Sequence, residues 1–327
     1  MGIVVVTDHV FPGLEQERAI LGAAGHELRY ERDARSPEDV IQASVGADAV
    51  LNCYAPMPAE VIEALAGCRI IARYGIGLDT IDIPAATARG ILVSNVPDYC
   101  IDEVSDHALA LILALGRGVV RLDRSVRAGS WNPMVARPLH RLRGRTLGLI
   151  GFGRIARRLA EKAAPIGFEL LATDPYVQPE AIEAAGVGAV GLEELLERAD
   201  VVSVHAPMTE ENRHLIAAPE LGRMRPGAVL INTSRGPLVD LDAVREALAA
   251  RHLGGVALDV FESEPPAADD PLFERDDVVV TPHAAFYSEE AVEEQQRKAA
   301  EQVVAALAGL IPTYAVNADG IAARGGS

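Results

Sequence analysis

The sequence predicts an α/β fold with two doubly wound domains of the Rossmann-like or flavodoxin-like kind, each built on a parallel sheet. Short apolar runs alternate with helical patterns along most of the chain, which is typical of a parallel sheet covered by helices. The chain has 327 residues, and single cores usually divide beyond about 250–300 residues, so we expect two domains. The turn Gly151-Phe152-Gly153, between an apolar run and a helical pattern, indicates a nucleotide-binding domain.

The first hundred residues predict one small doubly wound domain. Apolar runs that end in polar or glycine-rich turns predict its strands, and helical patterns lie between some of them. The turn Tyr74-Gly75-Ile76-Gly77 follows one of these runs. The predicted strands are residues 2–7, 49–51, 69–72 and 91–94, and the predicted helices are residues 37–45 and 58–66.

A long apolar helix, predicted at residues 100–115, precedes a second strand–helix series. We expect Asp102 to cap this helix and Gly116 to lie near its end. Six further apolar runs fit a nucleotide-binding sheet. They are residues 146–150, 169–173, 201–204, 228–231, 255–258 and 278–280.

The last predicted helix, at residues 289–307, begins only after the second sheet is complete. We therefore expect it to fold back onto the first domain, which makes that domain discontinuous. The predicted domains are residues 1–98 together with 287–327, and residues 99–286.

The composition excludes several classes of partner. The formal net charge of −17 opposes binding to nucleic acid or to an anionic membrane. Cys53, Cys68 and Cys100 lack the spacing of a metal site or a disulfide framework, so we expect reduced thiols and no metal. The longest apolar run is too short to span a membrane, and the first six residues are too short for a signal-peptide core, so we expect a cytoplasmic protein.

Gly151, Gly153 and Ala156 fill the three small-residue places of the G-x-G-x-x-G/A fingerprint of dinucleotide-binding domains. The first glycine permits a tight turn, the second lets the backbone approach a pyrophosphate, and the third residue permits close helix packing. The helix that follows begins at Arg154-Ile155, where its first N–H groups can bind the anion. Glycines also mark ordinary turns, so this motif alone is weak.

Asp174 strengthens the prediction because it lies 21 residues after Gly153, at the end of the next predicted strand. At this distance an acid hydrogen-bonds the adenine ribose hydroxyls. A carboxylate there repels a 2′-phosphate, so we predict NAD as the cofactor rather than NADP.

Three chemically useful side chains follow apolar runs in the second half of the chain. Arg235 lies in the turn after one run, Glu264 follows the next, and His283 follows the last, while Asp259 directly ends the second of these runs. The carboxyl ends of parallel strands are where ligands bind. Taken alone, an arginine after a strand is more often an ion-pair partner, and a single histidine is usually structural.

The chain resembles the D-isomer-specific 2-hydroxyacid dehydrogenases over nearly its whole length. The resemblance rests on the glycine fingerprint, the turn Asn232-Thr233-Ser234-Arg235-Gly236, the segment 259–264 and the pair Pro282-His283. Within that family, Val96-Pro97 and the segments 262–265 and 282–289 are similar to the C-terminal binding protein branch.

The resemblance implies an NAD-dependent oxidoreductase acting on a 2-oxo acid and its D-2-hydroxy acid. Arg235 would hold the substrate carboxylate and keto oxygen, His283 would be the acid and base, and Glu264 would favour the protonated imidazole. Asp259 is assigned to positioning or to the nicotinamide carboxamide. The other cofactor contacts that the resemblance implies are Val104, His205, Pro207, Thr233 and Ser234.

The first domain would then bind the substrate, with the active site in the cleft between the domains. The backbone N–H groups of Ile76 and Gly77 would point at the substrate carboxylate, and Arg73 and Tyr74 would line the pocket. A plain strand-to-helix turn remains the alternative. Phe286 would close over the substrate side chain and favour hydrophobic acids, unless it is a core or interface aromatic.

Three other functions fit the same fold. Formate dehydrogenases resemble one another in having Gln at the place of Glu264. Phosphite dehydrogenases resemble one another in having Lys where this chain has Ile76. These two differences weaken both functions as alternatives for this chain. An NAD(H)-sensing corepressor is the alternative from another class. The family also implies a homodimer, paired through the helix at residues 100–115 and the segment around Trp131.

Overall fold

The chain forms two structural units in a computed structural model, which describes residues 1–325. The first unit contains Met1–Tyr99 and the chain from Ser288 onward, and the second contains Cys100–Tyr287. The strands are β1 (Ile3–Val6), β2 (Glu27–Arg29), β3 (Ala49–Asn52), β4 (Ile70–Arg73), β5 (Leu92–Ser94), β6 (Thr146–Ile150), β7 (Glu169–Thr173), β8 (Gly188–Ala189), β9 (Val201–Val204), β10 (Val229–Asn232), β11 (Gly255–Leu258) and β12 (Val278–Val280).

The helices follow the same numbering along the chain. They are α1 (Glu15–Ala23), α2 (Pro37–Ala43), α3 (Ala59–Ala64), α4 (Ile83–Ala88), α5 (Ile101–Gly116), α6 (Val119–Arg127), α7 (Arg154–Ala163), α8 (Pro179–Glu183), α9 (Leu192–Arg198), α10 (Ala218–Arg223), α11 (Leu241–Ala249), α12 (Glu289–Leu307) and α13 (Ala318–Gly325). No helix within the described residues is both long enough and apolar enough to cross a membrane.

The first unit is a five-stranded parallel sheet in the order β2-β1-β3-β4-β5, the arrangement of flavodoxin-like folds. Every residue of β3 and β4 is buried because both faces of the sheet are covered by helices. The strand β2 was not predicted. It has only three residues, Glu27-Leu28-Arg29, of which one is apolar, so no hydrophobic run predicts this strand.

Both ends of the chain build this first unit. Helix α12 packs against α1, β3 and β4. Its first turn is capped by Ser288, whose Oγ accepts a hydrogen bond from the amide of Ala291 at 2.9 Å. After α12, the side chain of Asn317 accepts from the amide of Val93 at 2.9 Å and donates to the carbonyl of Ile91 at 3.0 Å, which fixes the C-terminal segment beside β5.

The second unit is a seven-stranded parallel sheet in the order β12-β11-β10-β9-β6-β7-β8. Its topology is doubly wound and Rossmann-like, with β6 carrying the glycine-rich turn. The sequence predicted six strands, and this count was wrong because β8 has only two residues, Gly188-Ala189. The remaining six strands form where apolar runs predict them, within one residue at each end.

Helix α5 differs from the prediction at its first turn. Its N-cap is Cys100, which makes no side-chain capping bond, and Asp102 lies inside the helix. The Asp102 carboxylate is instead 3.0 Å from Arg158 Nε and 3.0 Å from Lys162 Nζ, both on α7. These ion pairs connect two helices on one face of the sheet, while the apolar side of α5 contributes Ala108, Leu111 and Ile112 to the core.

Candidate active site

The register of the second sheet brings three strand ends together. Asn232, the last residue of β10, is paired with Leu258 at the end of β11, and Leu258 is paired with Val280 at the end of β12. Arg235, Asp259 and His283 follow these ends by three, one and three residues. The adjacent loops therefore place the predicted residues along one edge of the sheet.

His283 and Glu264 form a close ion pair at this edge. Nδ1 of His283 lies 2.7 Å from Oε2 of Glu264, and Oε1 of Glu264 accepts a hydrogen bond from the amide of Phe261 at 3.0 Å. Burial works to raise the pKa of Glu264, but the hydrogen bond and positive charge of His283, with the charge of Arg235, outweigh it and lower that pKa below its usual value. Glu264 is thus held as a carboxylate, which accepts the Nδ1 hydrogen of the imidazole.

The backbone of His283 is in the left-handed region, with φ of 51°. Few residues other than glycine adopt this conformation, and it persists only where the surroundings impose it. The amide of His283 donates to the carbonyl of Asp259 at 2.8 Å. These features turn the chain sharply at the end of β12 and direct the imidazole toward Glu264.

Asp259 holds the loop that carries His283. Its side chain is 1% exposed. Its carboxylate accepts hydrogen bonds from the amides of Ala284 and Ala285 at 2.8 and 2.9 Å and from Oγ1 of Thr281 at 2.6 Å. Of the two predicted roles for Asp259, these contacts favour positioning, because both carboxylate oxygens bind the loop.

The Arg235 loop is shaped by a residue to which the sequence analysis assigned no role. The fully buried side chain of Asn232 accepts from the amide of Ser234 at 3.0 Å and donates to the carbonyl of Arg235 at 2.8 Å. An Asn that bonds the backbone two and three residues onward forms an Asx-type turn, and its place directly after an apolar run is the signal that could have identified it. Nη1 of Arg235 donates to the carbonyl of Ser234 at 2.8 Å.

Gly236 brings the Arg235 loop and the Glu264 loop into direct contact. A Cβ at this position would lie 1.9 Å from the carbonyl carbon of Phe261 and 2.4 Å from the amide nitrogen of Glu262. Real Cβ atoms do not approach a backbone so closely, so only glycine fits here. The two loops are therefore fixed to each other by backbone contact.

The glycine-rich turn has the geometry that a dinucleotide requires. Gly151 has φ of 87°, and a Cβ on it would lie 2.8 Å from the amide nitrogen of Ala206. Gly153 is the N-cap of α7, and a Cβ on it would meet no atom within 4 Å, so the space before the first N–H groups of the helix, at Arg154 and Ile155, is open. The turn and the helix N-terminus thus suit a pyrophosphate.

Asp174 is fixed at the end of β7. Its Oδ2 accepts from the amide of Phe152 at 2.8 Å, and its Oδ1 accepts from the amide of Tyr176 at 2.8 Å. The first bond joins the acid to the glycine-rich turn, so both elements of the predicted cofactor site belong to one local arrangement.

The remaining predicted cofactor residues lie on α5 or in the loops that follow β9 and β10. Oγ1 of Thr233 is buried and has no hydrogen-bond partner among the described residues, which suits a ligand contact. Oγ of Ser234 donates to the carbonyl of Ala206 at 2.6 Å and joins the loops after β9 and β10.

Burial lowers the pKa of His205 to about 4, so this imidazole is neutral at neutral pH. Val104 is buried on α5, and the carbonyl of Pro207 accepts from the Asn212 side chain at 2.7 Å.

The turn after β4 belongs to the first unit and differs in part from the prediction. Tyr74 is 1% exposed, and its hydroxyl donates to Oε1 of Glu17 at 2.8 Å, so its side chain lies in the interior of this unit. Burial, followed by the charge of Glu17, raises the pKa of Tyr74 well above its usual value. Arg73 is also buried, and its guanidinium lies 5.8 Å from the ring centre of Tyr54.

Ile76 and Gly77 are half-buried in the same turn. The carbonyl of Ile76 accepts from Nδ2 of Asn95 at 2.7 Å. Their role toward a substrate carboxylate stays a prediction, as does the active site in a cleft between domains. Phe286 is half-buried, with its ring 6.4 Å from that of Tyr287, and its predicted role in substrate choice is likewise untested.

All three cysteines lie in the interior of the protein. Burial raises the pKa of Cys53 and of Cys68 to about 12. No group of three or more His, Cys, Asp or Glu side chains in the described chain could hold a metal ion.

A doubly wound sheet with a glycine-rich turn, an acid on the next strand and an arginine, a carboxylate and a histidine at adjacent strand ends defines a dinucleotide-dependent dehydrogenase. The comparisons with known proteins identify the family. The sequence model of the D-isomer-specific 2-hydroxyacid dehydrogenase NAD-binding domain matches residues 109–285. The chain belongs to this family, and it is an NAD-dependent oxidoreductase.

Individual relatives agree with this assignment. A glyoxylate reductase from Korarchaeum cryptofilum is 40% identical over 91% of this chain and 92% of its own length. A D-3-phosphoglycerate dehydrogenase from Mycobacterium leprae is 41% identical over 84% of this chain, which spans only 52% of that longer protein. The crystal structure of the TT0316 protein from Thermus thermophilus superimposes with a TM-score of 0.88 at 34% identity, over 96% of this chain and 99% of that one. The similarity to the C-terminal binding protein branch stays a prediction.

Proposed function

We propose that this chain catalyses the NADH-dependent reduction of a 2-oxo acid to the D-2-hydroxy acid, and the reverse reaction, with His283 as the acid and base. The observation that carries the proposal is the distance of 2.7 Å between His283 Nδ1 and Glu264 Oε2. It pairs an imidazole with a carboxylate beside the loop of a permanently charged arginine.

The pair assigns a separate task to each imidazole nitrogen. Because Glu264 is held as a carboxylate, it accepts the hydrogen on Nδ1 and orients the ring. Nε2 is then the nitrogen assigned to proton exchange with the substrate oxygen. An imidazole titrates close to neutral pH, so it can give this proton during reduction and take it during oxidation.

Arg235 supplies the positive charge for the substrate. Its planar guanidinium matches a carboxylate and the adjacent keto oxygen of a 2-oxo acid. As the keto oxygen gains negative charge during reduction, Arg235 and the imidazolium stabilise it. The buried side chain of Asn232 and the contact at Gly236 hold the Arg235 loop in place before the substrate binds.

The cofactor residues follow from the same local geometry. We assign the pyrophosphate to Gly153 and the first N–H groups of α7, and the adenine ribose to Asp174. Thr233, Ser234, His205, Pro207 and Val104 are proposed for the remaining contacts. When bound, NADH supplies the hydride for the carbonyl carbon.

The proposed substrates are 2-oxo acids, and the names of the relatives point to glyoxylate as a first compound to test. A panel of glyoxylate, pyruvate, 4-methyl-2-oxopentanoate and 2-oxoglutarate varies the size, apolarity and charge of the side chain. Saturable NADH oxidation with at least one acid supports the enzyme. Tight NADH binding with negligible turnover on every acid contradicts it and supports the NAD(H) sensor.

Phe286 is proposed to influence which acid is preferred. Its half-buried ring follows His283 by three residues, so it is close in sequence to the proton donor. We expect Phe286→Ala to change the ranking of acids within the panel. A uniform decrease in all rates, with the ranking kept, contradicts this role.

A homodimer is proposed from the surface around α6. No residue of α6 is buried, and Trp131 and Met134, which follow it, are 88% and 56% exposed. Exposed apolar side chains in one segment are typical of an interaction surface. The predicted contribution of α5 is weakened, because its apolar side packs within the second unit. Light scattering at micromolar concentration tests the proposal: a dimer that Trp131→Glu dissociates supports it, and a monomeric parent contradicts it.

A further inference from the structure

Three polar side chains connect helix α5 with the loop that carries His283. Nε2 of His107, on α5, lies 2.9 Å from Oγ1 of Thr281, and Oγ1 of Thr281 lies 2.6 Å from Oδ1 of Asp259. Nε2 of His107 is also 3.6 Å from that carboxylate oxygen. His107 and Thr281 are separated by 174 positions in the sequence, so this connection exists only in the folded protein.

The directions of these hydrogen bonds follow from what Asp259 already accepts. Its Oδ1 and Oδ2 accept from the amides of Ala284 and Ala285, which suits an ionised carboxylate. An ionised carboxylate only accepts, so the Thr281 hydroxyl must donate its single hydrogen to Asp259. The Thr281 oxygen then accepts from His107, and Nε2 of His107 must carry a hydrogen.

The same segment holds His283 in its unfavourable backbone conformation. The amide of His283 donates to the carbonyl of Asp259 at 2.8 Å and lies 3.1 Å from the carbonyl of Thr281. With φ of 51°, His283 depends on its neighbours to stay in the left-handed region. A contact that fixes Thr281 and Asp259 therefore also fixes the direction in which the His283 imidazole points.

We propose that His107 is a positioning residue for His283, acting through Thr281 and Asp259. It donates from Nε2 to the Thr281 hydroxyl, which orients that hydroxyl toward Asp259 and holds residues 281–285 in the conformation that brings His283 to Glu264. Both the neutral Nε2–H form and the imidazolium form of His107 supply this hydrogen. The inference rests on the proposed role of His283 in proton transfer.

Matched variants test the effect on turnover. His107→Leu removes the donor, whereas His107→Gln retains an N–H at a similar distance from the backbone. We expect His107→Leu to lower kcat about tenfold with little change in KM for NADH, and His107→Gln to restore most of the loss. Asp106→Asn is the control, since this neighbour on α5 pairs with Lys162 and is not part of the connection. A His107→Leu enzyme with the parent kcat overturns the proposal.

Thr281→Val tests whether the residues act as one connection. Each single variant should lower kcat about as much as the double variant of His107→Leu and Thr281→Val does, because either change alone breaks the same connection. Multiplicative losses overturn the proposal, since they would mean that the two side chains act independently.

The tautomer of His107 gives a test that does not depend on turnover. Long-range ¹H–¹⁵N spectra of protein labelled in histidine, assigned with His107→Gln, should show Nε2 of His107 protonated. A bare Nε2 with the hydrogen on Nδ1 overturns the proposed direction. If His283 variants keep full activity, the proposed function fails, whereas this measurement still reports whether His107 donates to Thr281. The two failures are therefore distinguishable.

Discussion

Nδ1 of His283 lies 2.7 Å from Oε2 of Glu264, although 19 positions separate the two residues in the sequence. The adjacent parallel strands β11 and β12 bring their loops together, and the backbone contact at Gly236 fixes the Arg235 loop to the Glu264 loop. In this arrangement Glu264 keeps its negative charge and the imidazole is oriented by a charged acceptor. The proposed chemistry depends on this pair.

Removing the charge of Glu264 should alter the pH dependence of the reaction. In Glu264→Gln the amide oxygen can still accept from Nδ1, but the protonated imidazole is no longer stabilised by a negative charge. Keto acid reduction needs that protonated form, so the alkaline decline of kcat should move to lower pH. Rates measured from pH 5 to pH 9 with saturating NADH test this.

Glu262→Gln is the control for that experiment. Glu262 pairs with Arg213 and with His214, each at 3.1 Å, and not with His283. Its variant should keep the parental pH profile. Equal shifts in both variants, or no shift in Glu264→Gln, would contradict the assigned pair.

A methyl group at Gly236 should disturb the Arg235 loop and the Glu264 loop of the proposed site. The Cβ of Gly236→Ala would collide with the backbone at Phe261 and Glu262, so the loops must separate. We expect a loss of roughly 1–3 kcal/mol in the free energy of unfolding, and a larger loss of activity than of folded protein. Gly222→Ala, where a Cβ meets nothing within 4 Å, is the matched control and should be neutral or stabilising. Parental stability and activity in Gly236→Ala would disprove the contact.

Asp174 should set the preference for NADH. Fluorescence titrations at one salt concentration should show tighter binding of NADH than of NADPH to the parent chain, because the carboxylate repels a 2′-phosphate. Asp174→Ser should weaken NADH binding by about tenfold and narrow the difference between the two cofactors. Glu183→Ser, an exposed acidic position on α8, serves as control. Equal affinity of the parent for both cofactors would refute the assignment.

The depressed pKa of His205 predicts a loss of stability in mild acid. Its folded pKa of about 4 lies below the ordinary value of 6.5, so the unfolded chain binds a proton that the folded chain does not. The contribution of His205 is therefore fully present above pH 6.5 and declines as the pH falls toward 4. The melting temperature of the parent should fall more between pH 7 and pH 5 than that of His205→Gln. Parallel decreases would show that His205 is not the group responsible.

The sequence was most informative where apolar runs end in unusual residues. The strands β6, β9 and β11 are buried along their whole length, and each of them was predicted with correct bounds. The edge strands β2 and β8 were missed because three or two residues with little apolar content give no periodic signal. Edge strands form by pairing with a neighbouring strand, and the residues of that neighbour lie elsewhere in the sequence.

The site shows the same division between local and long-range information. Arg235, Glu264 and His283 could be proposed because each follows an apolar run and lies in a motif that resembles the family. The interior position of Tyr74 could not be predicted, because it depends on a hydrogen bond to Glu17, which lies 57 residues earlier in the sequence. His107 was not singled out for a related reason, because Thr281 is 174 residues away and a histidine on a helix is usually structural.

The most direct test of the central claim is the turnover of His283→Asn with the best 2-oxo acid of the panel. The proposed proton transfer predicts a decrease in kcat of about 10²–10⁴-fold, while the Kd for NADH stays within about twofold of the parent. Circular dichroism of the variant verifies that it is folded. A folded His283→Asn enzyme that retains the parental kcat would contradict the assignment of His283 as the acid and base.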